Sequence, residues 1–242
     1  MRRVAELSEF RKAVFVGDTH GDLEASKHVI KKFAKEKNIA IVFLGDYVDR
    51  GEHSRENIDF LLQMKQRLAN RLCLLMGNHE CYPIMEFSPC DFWTSLNKEE
   101  LDFYWRVFKS LPFVARFHDV LALHAALPNV EKLEDFERIK LGSDDWLALT
   151  WGDFVERDGD FLGFDYLTGR PVFGRHRFAR VMGKLNMRYL IRSHQPNAKE
   201  RMFNGQCITI FTSAAYGRER TVAIAKRERN ETRIKVVKLE EL

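Results

Sequence analysis

The sequence is poor in everything that would staple, anchor or tether it. Its 242 residues hold four cysteines, Cys73, Cys81, Cys90 and Cys207, with no Cys-x-x-Cys pair and no zinc-finger spacing. That spacing gives no sign of a disulfide framework or a structural zinc site, and free thiols in a reducing cytosol are the simplest account. No apolar run approaches the length of a membrane span. The leading residues, Met1-Arg2-Arg3-Val4-Ala5-Glu6-Leu7, meet charge before a signal-peptide core can form. The expectation is a cytoplasmic protein with no membrane partner. Nor is there a basic block: net charge is +4, but cations are interleaved with acids, as in Lys35-Glu36-Lys37 and Arg227-Glu228-Arg229, so no nucleic-acid partner is expected. Linkers rich in Gly, Ser or Pro and internal repeats are lacking too, so residues 1–242 read as one domain. Neither a Cys-x5-Arg spacing nor a Gly-x4-Gly-Lys-Ser/Thr loop occurs, which argues against cysteine-based phosphate chemistry and ATP use.

What is present is ample core material, 45% hydrophobic against 31% charged residues. The first third alternates short apolar runs with amphipathic stretches. Residues 13–16, 39–44 and 72–76 read as buried strands, each ended by glycine, with helices expected over 23–37 and 55–68. Such alternation predicts a parallel sheet covered on both faces. Further on, 101–111 reads as an aromatic-rich helix, and 120–123, 188–191 and 207–211 as strands. Segments 221–226 and 232–239 alternate apolar and polar residues and predict a terminal antiparallel hairpin turning at 229–231. The stretch 131–165 gives no clear elements. The expectation is an α/β domain with a parallel half first and a β-rich half second.

The strand ends deliver the chemistry. After the first run come Gly17-Asp18-Thr19-His20-Gly21, after the second Gly45-Asp46-Tyr47-Val48-Asp49-Arg50-Gly51, and after the third Gly77-Asn78-His79-Glu80. Later strands end in His124-Ala125-Ala126 and Arg192-Ser193-His194-Gln195. In open α/β sheets ligands sit outside the carboxyl ends of strands, so these side chains should converge on one rim. A mixed carboxylate, imidazole and amide set suits manganese, iron or zinc. Two such ions about 3.5–4 Å apart clamp a phosphoryl group and lower the pKa of a bridging water, whose hydroxide then attacks phosphorus in line. His28, His53, His118 and His176 lie outside the pattern and read as ordinary.

Gly-Asp-Thr-His-Gly, Gly-Asp-Tyr-Val-Asp-Arg-Gly and Gly-Asn-His-Glu, in this order, resemble the signature of the phosphoprotein phosphatases, the metallophosphoesterase-type serine/threonine phosphatases. Leu111-Pro112, Trp151-Gly152-Asp153, Arg192-Ser193-His194-Gln195 and 209–216 resemble further landmarks, so the likeness covers roughly residues 13–216. It implies a calcineurin-like β-sandwich with mixed sheets, flanked by helices in α/β/β/α layers. It implies two divalent ions, manganese foremost, with Asp18 and His20 on the first, Asp46 bridging, and Asn78, His124 and His194 on the second. His79 would be the general acid, held by Asp49 in its charged form. Arg50 would fork onto phosphate oxygens, with Arg170 as a second phosphate arginine, Arg175 as its alternative, and Tyr216 as an active-site tyrosine. The expected substrates are phosphoserine and phosphothreonine proteins.

The family's His-Gly-Gly is replaced by His124-Ala125-Ala126, whose methyl groups would tighten the site, and residues 81–101 match poorly. The chain is short for the family, which suggests a compact prokaryotic member and leaves no regulatory subunit to infer. Two rivals remain. A dinucleoside tetraphosphate hydrolase or phosphodiesterase on the same scaffold is disfavoured by Asp49, Glu80 and Tyr216. A non-catalytic phosphoprotein-binding module would be expected to have lost a ligand or the acid.

Overall fold

The protein is described from a computed structural model, which covers residues 2–229 and 231–242. In chain order its elements are β1 (Val4–Glu6), β2 (Lys12–Val16), α1 (Leu23–Phe33), β3 (Ile39–Phe43), α2 (Ser54–Leu68), β4 (Leu72–Leu74), α3 (Asp91–Thr94), α4 (Lys98–Phe108), β5 (Val114–Phe117) and β6 (Val120–Leu123). They continue with α5 (Asp144–Trp151), β7 (Asp153–Phe154), β8 (Phe161–Phe164), β9 (Pro171–Phe173), α6 (Arg175–Lys184), β10 (Tyr189–Arg192), β11 (Arg201–Met202), β12 (Cys207–Thr209), β13 (Thr221–Glu228) and β14 (Glu231–Lys238). Short 3-10 turns lie between them.

Two mixed sheets pack face to face. One has the order β14-β13-β2-β3-β4, the other β1-β5-β6-β10-β12-β11, and a three-stranded sheet, β7-β9-β8, stands apart. Strand periodicity explains the continuous apolar runs of the sequence. Val14, Val16, Ile39, Ile41 and Phe43 point into the helix-side core, while Ala13, Phe15, Ala40, Val42 and Leu44 point into the layer between the sheets. Both faces are buried, so no polar alternation survives.

The chain does not divide into a parallel half and a β-rich half. The C-terminal hairpin β13–β14 is confirmed, but β13 pairs antiparallel with β2, so β2 and β3 become the interior of a mixed sheet with β4 at its edge. At the other extreme β1 crosses to pair with β5. Asn230, in the expected turn, lies outside the described residues. Helix α1 ends at Phe33, four residues short of expectation. Phe33 is its last buried side chain, and 35–38 are exposed and have nothing to pack. Helix α4 begins earlier than expected because Asn97 and Glu100 form a reciprocal capping box, a start signal worth about 1 kcal/mol. Strand β12 stops at Thr209.

Candidate active site

Five loops meet at one rim, at the ends of β2, β3, β4, β6 and β10, as the strand-end motifs predicted. The approach is close enough to demand glycine. Gly45 has φ +108°, and a Cβ on it would lie 2.4 Å from the Gly77 nitrogen; one on Gly77 would lie 2.4 Å from Asp46 Oδ1. Either methyl would push the two loops apart. His20, Asp46, Asp49, Arg50 and His194 all hold positive φ, a conformation costly for side-chain-bearing residues and sustained only where surroundings enforce it. Glu80 is one enforcer. Its buried carboxylate accepts from the N–H groups of Asp46 (2.8 Å), Tyr47 (2.9 Å) and Gly77 (2.8 Å). Asn57 on α2 is another, donating to Thr19 Oγ1 and the Tyr47 carbonyl.

The side chains form two overlapping clusters. In one, His20 Nε2 lies 3.5 Å from Asp46 Oδ2 and 3.9 Å from Asp18 Oδ2. In the other, His124 Nε2 lies 3.0 Å from Asn78 Oδ1, 3.2 Å from His194 Nδ1 and 3.4 Å from Asp46 Oδ1, and His194 Nδ1 lies 2.9 Å from Asn78 Oδ1. Two ligands of one ion at about 2.1 Å each sit roughly 3.0–3.4 Å apart, so the second cluster has the spacing of a coordination sphere. Tautomers point the same way. His20 Nδ1 and His124 Nδ1 donate to the carbonyls of Val48 (2.8 Å) and Leu44 (2.9 Å), which leaves the Nε2 lone pairs facing inward. Imidazole, amide and carboxylate lone pairs thus converge, and Asp18 Oδ2 is buried without a hydrogen-bond partner. Lone pairs gathered this way repel unless a cation sits among them, so the residues present fit divalent metal.

Electrostatics agree. Burial pushes the Asp18 carboxyl up to about 6, and burial followed by the Asp18 and Glu80 carboxylates pushes Asp46 far above its ordinary range. Burial also pulls His20, His124 and His194 well down. Neutral imidazoles beside buried carboxylates are a cation-binding arrangement.

Beside the clusters, His79 Nδ1 bonds Asp49 Oδ2 at 2.7 Å, and Asp49 Oδ1 accepts from the Phe92 N–H at 2.9 Å. Burial raises Asp49 to about 7 and lowers His79, with the Arg50 and Arg170 charges adding to the latter. In the protein alone burial therefore opposes the charged imidazole that the resemblance implied. With Nδ1 committed to Asp49, Nε2 is the ring nitrogen left for a substrate oxygen. His79, Arg50 and Arg170 line one cleft of about 570 Å³, together with the apolar side chains of Met85, Phe87, Leu147 and Trp151. Arg175 pairs with Asp158 at 3.4 Å and is not among the residues lining this cleft. Tyr216 sits against the first cluster, its hydroxyl 2.8 Å from His20 Nε2 and its ring under Arg50 at 5.5 Å. An ion on that nitrogen requires the hydroxyl to move. Ala125 and Ala126 do not tighten the cleft. They are buried beneath α5, where their N–H groups donate to the Leu149 and Ala148 carbonyls.

Several supporting residues escaped sequence reasoning. Segment 81–101, which read poorly, buttresses the His79–Asp49 pair: Trp93 Nε1 donates to the His79 carbonyl, Asp91 accepts from Arg50 N–H, and Phe87 packs on the His79 ring at 4.6 Å. Asp153 Oδ1 lies 3.8 Å from both His194 Nε2 and Arg170 Nη1. The Trp-Gly-Asp landmark was the only sequence signal for it.

The fold and this rim of candidate metal ligands point to a phosphoesterase class. The calcineurin-like phosphoesterase family model matches residues 11–198, and the chain belongs to that family. Among curated relatives, it is 30% identical over 223 residues to a probable serine/threonine-protein phosphatase, ECU05_0440, of Encephalitozoon cuniculi, covering 85% of this chain and 47% of the relative. It is 27% identical over 213 residues to the serine/threonine-protein phosphatase 6 catalytic subunit of Drosophila melanogaster, covering 83% and 69%. A match to serine/threonine-protein phosphatase BSL2 of Arabidopsis thaliana, 27% identical over 228 residues, covers 83% of this chain and 22% of the relative. The chain thus spans less than half the length of the first and last of these. A protein serine/threonine phosphatase structure from Saccharomyces cerevisiae, described as similar to human phosphatase PP5, superposes with TM-score 0.78 at 22% identity, covering 97% of this chain and 82% of that one. At that identity the likeness speaks to the fold. No helix among the described residues is long and apolar enough to cross a membrane.

Proposed function

We propose that this chain is a two-metal phosphatase acting on phosphoserine and phosphothreonine in proteins, with residues 1–242 working as one catalytic unit. The observation that carries the reading is the convergence of inward-facing lone pairs from Asp46, Asn78, His124 and His194, next to a His79–Asp49 pair and two arginines on one cleft. Asp18, His20 and Asp46 would hold one ion, and Asp46, Asn78, His124 and His194 the other. The mixed nitrogen and oxygen donor set suits manganese first, then iron or zinc. When bound, the ions supply Lewis acidity to the phosphoryl oxygens and acidify water.

The protein's own groups do the rest. Arg50 and Arg170, which line the same cleft, bind the remaining phosphoryl oxygens and orient the phosphoryl group for in-line attack. His79 Nε2 donates a proton to the departing serine or threonine oxygen, a poor leaving group without one. Asp49 holds the ring by its other nitrogen and offsets its positive charge against the burial that opposes it. Free thiols at Cys73, Cys81, Cys90 and Cys207 suit a reducing compartment such as the cytoplasm. The test compares initial rates on phosphoserine, phosphothreonine and phosphotyrosine peptides and on diadenosine tetraphosphate, with and without manganese. Faster metal-dependent turnover of the phosphoserine or phosphothreonine peptides supports the reading. Preference for the dinucleotide, or binding of phosphopeptide without turnover when manganese, iron or zinc is supplied in turn, overturns it.

A further inference from the structure

A second concavity, of about 520 Å³, opens beside the catalytic cleft between α5 and the β8–β9 hairpin. Phe161, Phe164, Pro171 and Phe173 make its apolar wall. Phe161 and Phe164 are 49% and 61% exposed, and the hairpin tip adds Tyr166 and Leu167 at 92% and 79%. These are large apolar side chains held in water, and clustered exposure of this kind marks a recognition surface. The tip is built rather than loose: Asp165 Oδ1 accepts from Leu167 N–H, Thr168 N–H and Thr168 Oγ1, and Asp165 N–H donates to the Arg170 carbonyl at 2.8 Å.

Two links join this concavity to the chemistry. Leu147 on α5 lines both it and the catalytic cleft. Arg170, on the cleft wall, is the chain neighbour of Pro171, which pairs with Phe164 across the hairpin. The apolar wall therefore begins one residue from an arginine of the catalytic cleft. The volume is that of a pocket for a side chain or small ligand; Asp144, Asp145 and Arg177 also line it, with Arg177 paired to Asp160 and stacked on Phe173 at 4.5 Å, so charges of both signs border the apolar face.

We propose that the concavity between α5 and the β8–β9 hairpin is a substrate subsite that takes an aromatic or branched aliphatic side chain flanking the phosphorylated residue. This rests on the phosphoprotein phosphatase reading and adds a sequence preference to it. Continuity with the cleft favours a substrate segment over a second copy of the chain as the occupant.

The experiment walks a single phenylalanine along both flanks of a phosphothreonine in an otherwise alanine-rich peptide, for wild type and for Phe164→Ser, with phenyl phosphate as a small control. One flanking position should raise wild-type kcat/KM by about 10-fold, mainly through KM, as expected for burying an aromatic ring. In Phe164→Ser that advantage should fall below about 3-fold with phenyl phosphate turnover unchanged. A wild type indifferent to the position of phenylalanine overturns the subsite and leaves the phosphatase standing. So does a variant that loses phenyl phosphate and every peptide equally, because Phe164 would then be only structural. A wild-type dimer that Phe164→Ser dissociates, with no peptide preference, assigns the face to a second copy. Hydrolysis of diadenosine tetraphosphate but of no phosphopeptide removes the phosphatase reading itself.

Discussion

The metal-type rim and the β8–β9 hairpin stand on either side of one cleft and are built on opposite principles. At the rim, Asp18, His20, Asp49 and His124 are wholly buried, backbones are forced to positive φ, and the Nδ1 atoms of His20 and His124 are held by backbone carbonyls. On the hairpin, Phe164, Tyr166 and Leu167 face water on a three-stranded sheet that belongs to neither main sheet. The rim must hold donor atoms to within tenths of an ångström, so the fold over-determines it. The hairpin needs only an apolar face in the right place, so its side chains can change without disturbing the sandwich. Chemistry and selectivity are thereby assigned to different structural layers.

Substitutions can break or sharpen that contrast. The largest effect should come from His79→Asn. Turnover of an alkyl phosphate ester falls by ~10²–10⁴-fold while metal content stays unchanged, as checked by steady-state kinetics and elemental analysis. Near-normal turnover would remove the acid from the rim. Asp46→Asn should weaken both ions together, by at least roughly 10–100-fold, since a shared ligand costs more than an outer partner; titration with manganese measures this. Removing metal by chelation should lower stability by about 2.7 kcal/mol for each ion lost, relative to protein at manganese one hundred times that site's Kd. For a chain of this size that is roughly 5–10 °C in Tm by calorimetry. Arg170→Ala should reduce kcat/KM by roughly 10-fold with metal retained, the loss of a charge-assisted contact. The smallest effect belongs to Leu167→Ser, which should change stability by less than about 0.5 kcal/mol in urea titrations. A large loss there would show that the hairpin is part of the core.

The rim was legible because its signal is local. Gly17, Gly45 and Gly77 end apolar runs and are followed at once by Asp18, Asp46 and Asn78, so chain order alone brings the residues to the strand ends. The sandwich came through resemblance, whereas periodicity alone suggested two successive halves. Nothing local says that β13 will pair with β2, more than two hundred residues away. Residues 131–165 were opaque because β7 has two residues and β8 four, and because α5 is only eight residues long, with Trp146, Ala148, Leu149 and Thr150 buried, too short and too apolar to show a helical stripe. Glu80 read only as a motif letter, yet it accepts three backbone N–H groups that hold two loops together. Arg170 and Arg175 differ by five positions, and only their placement separates them. One lies on the cleft wall and the other pairs with Asp158.

The central claim is met most directly by diffraction from manganese-soaked crystals at wavelengths bracketing the metal's absorption edge. The account predicts two anomalous peaks about 3.5–4 Å apart, with Asp46 contacting both, Asp18 and His20 on one, and Asn78, His124 and His194 on the other. No peak at the rim under saturating manganese, or an ion held away from Asp46, would contradict it.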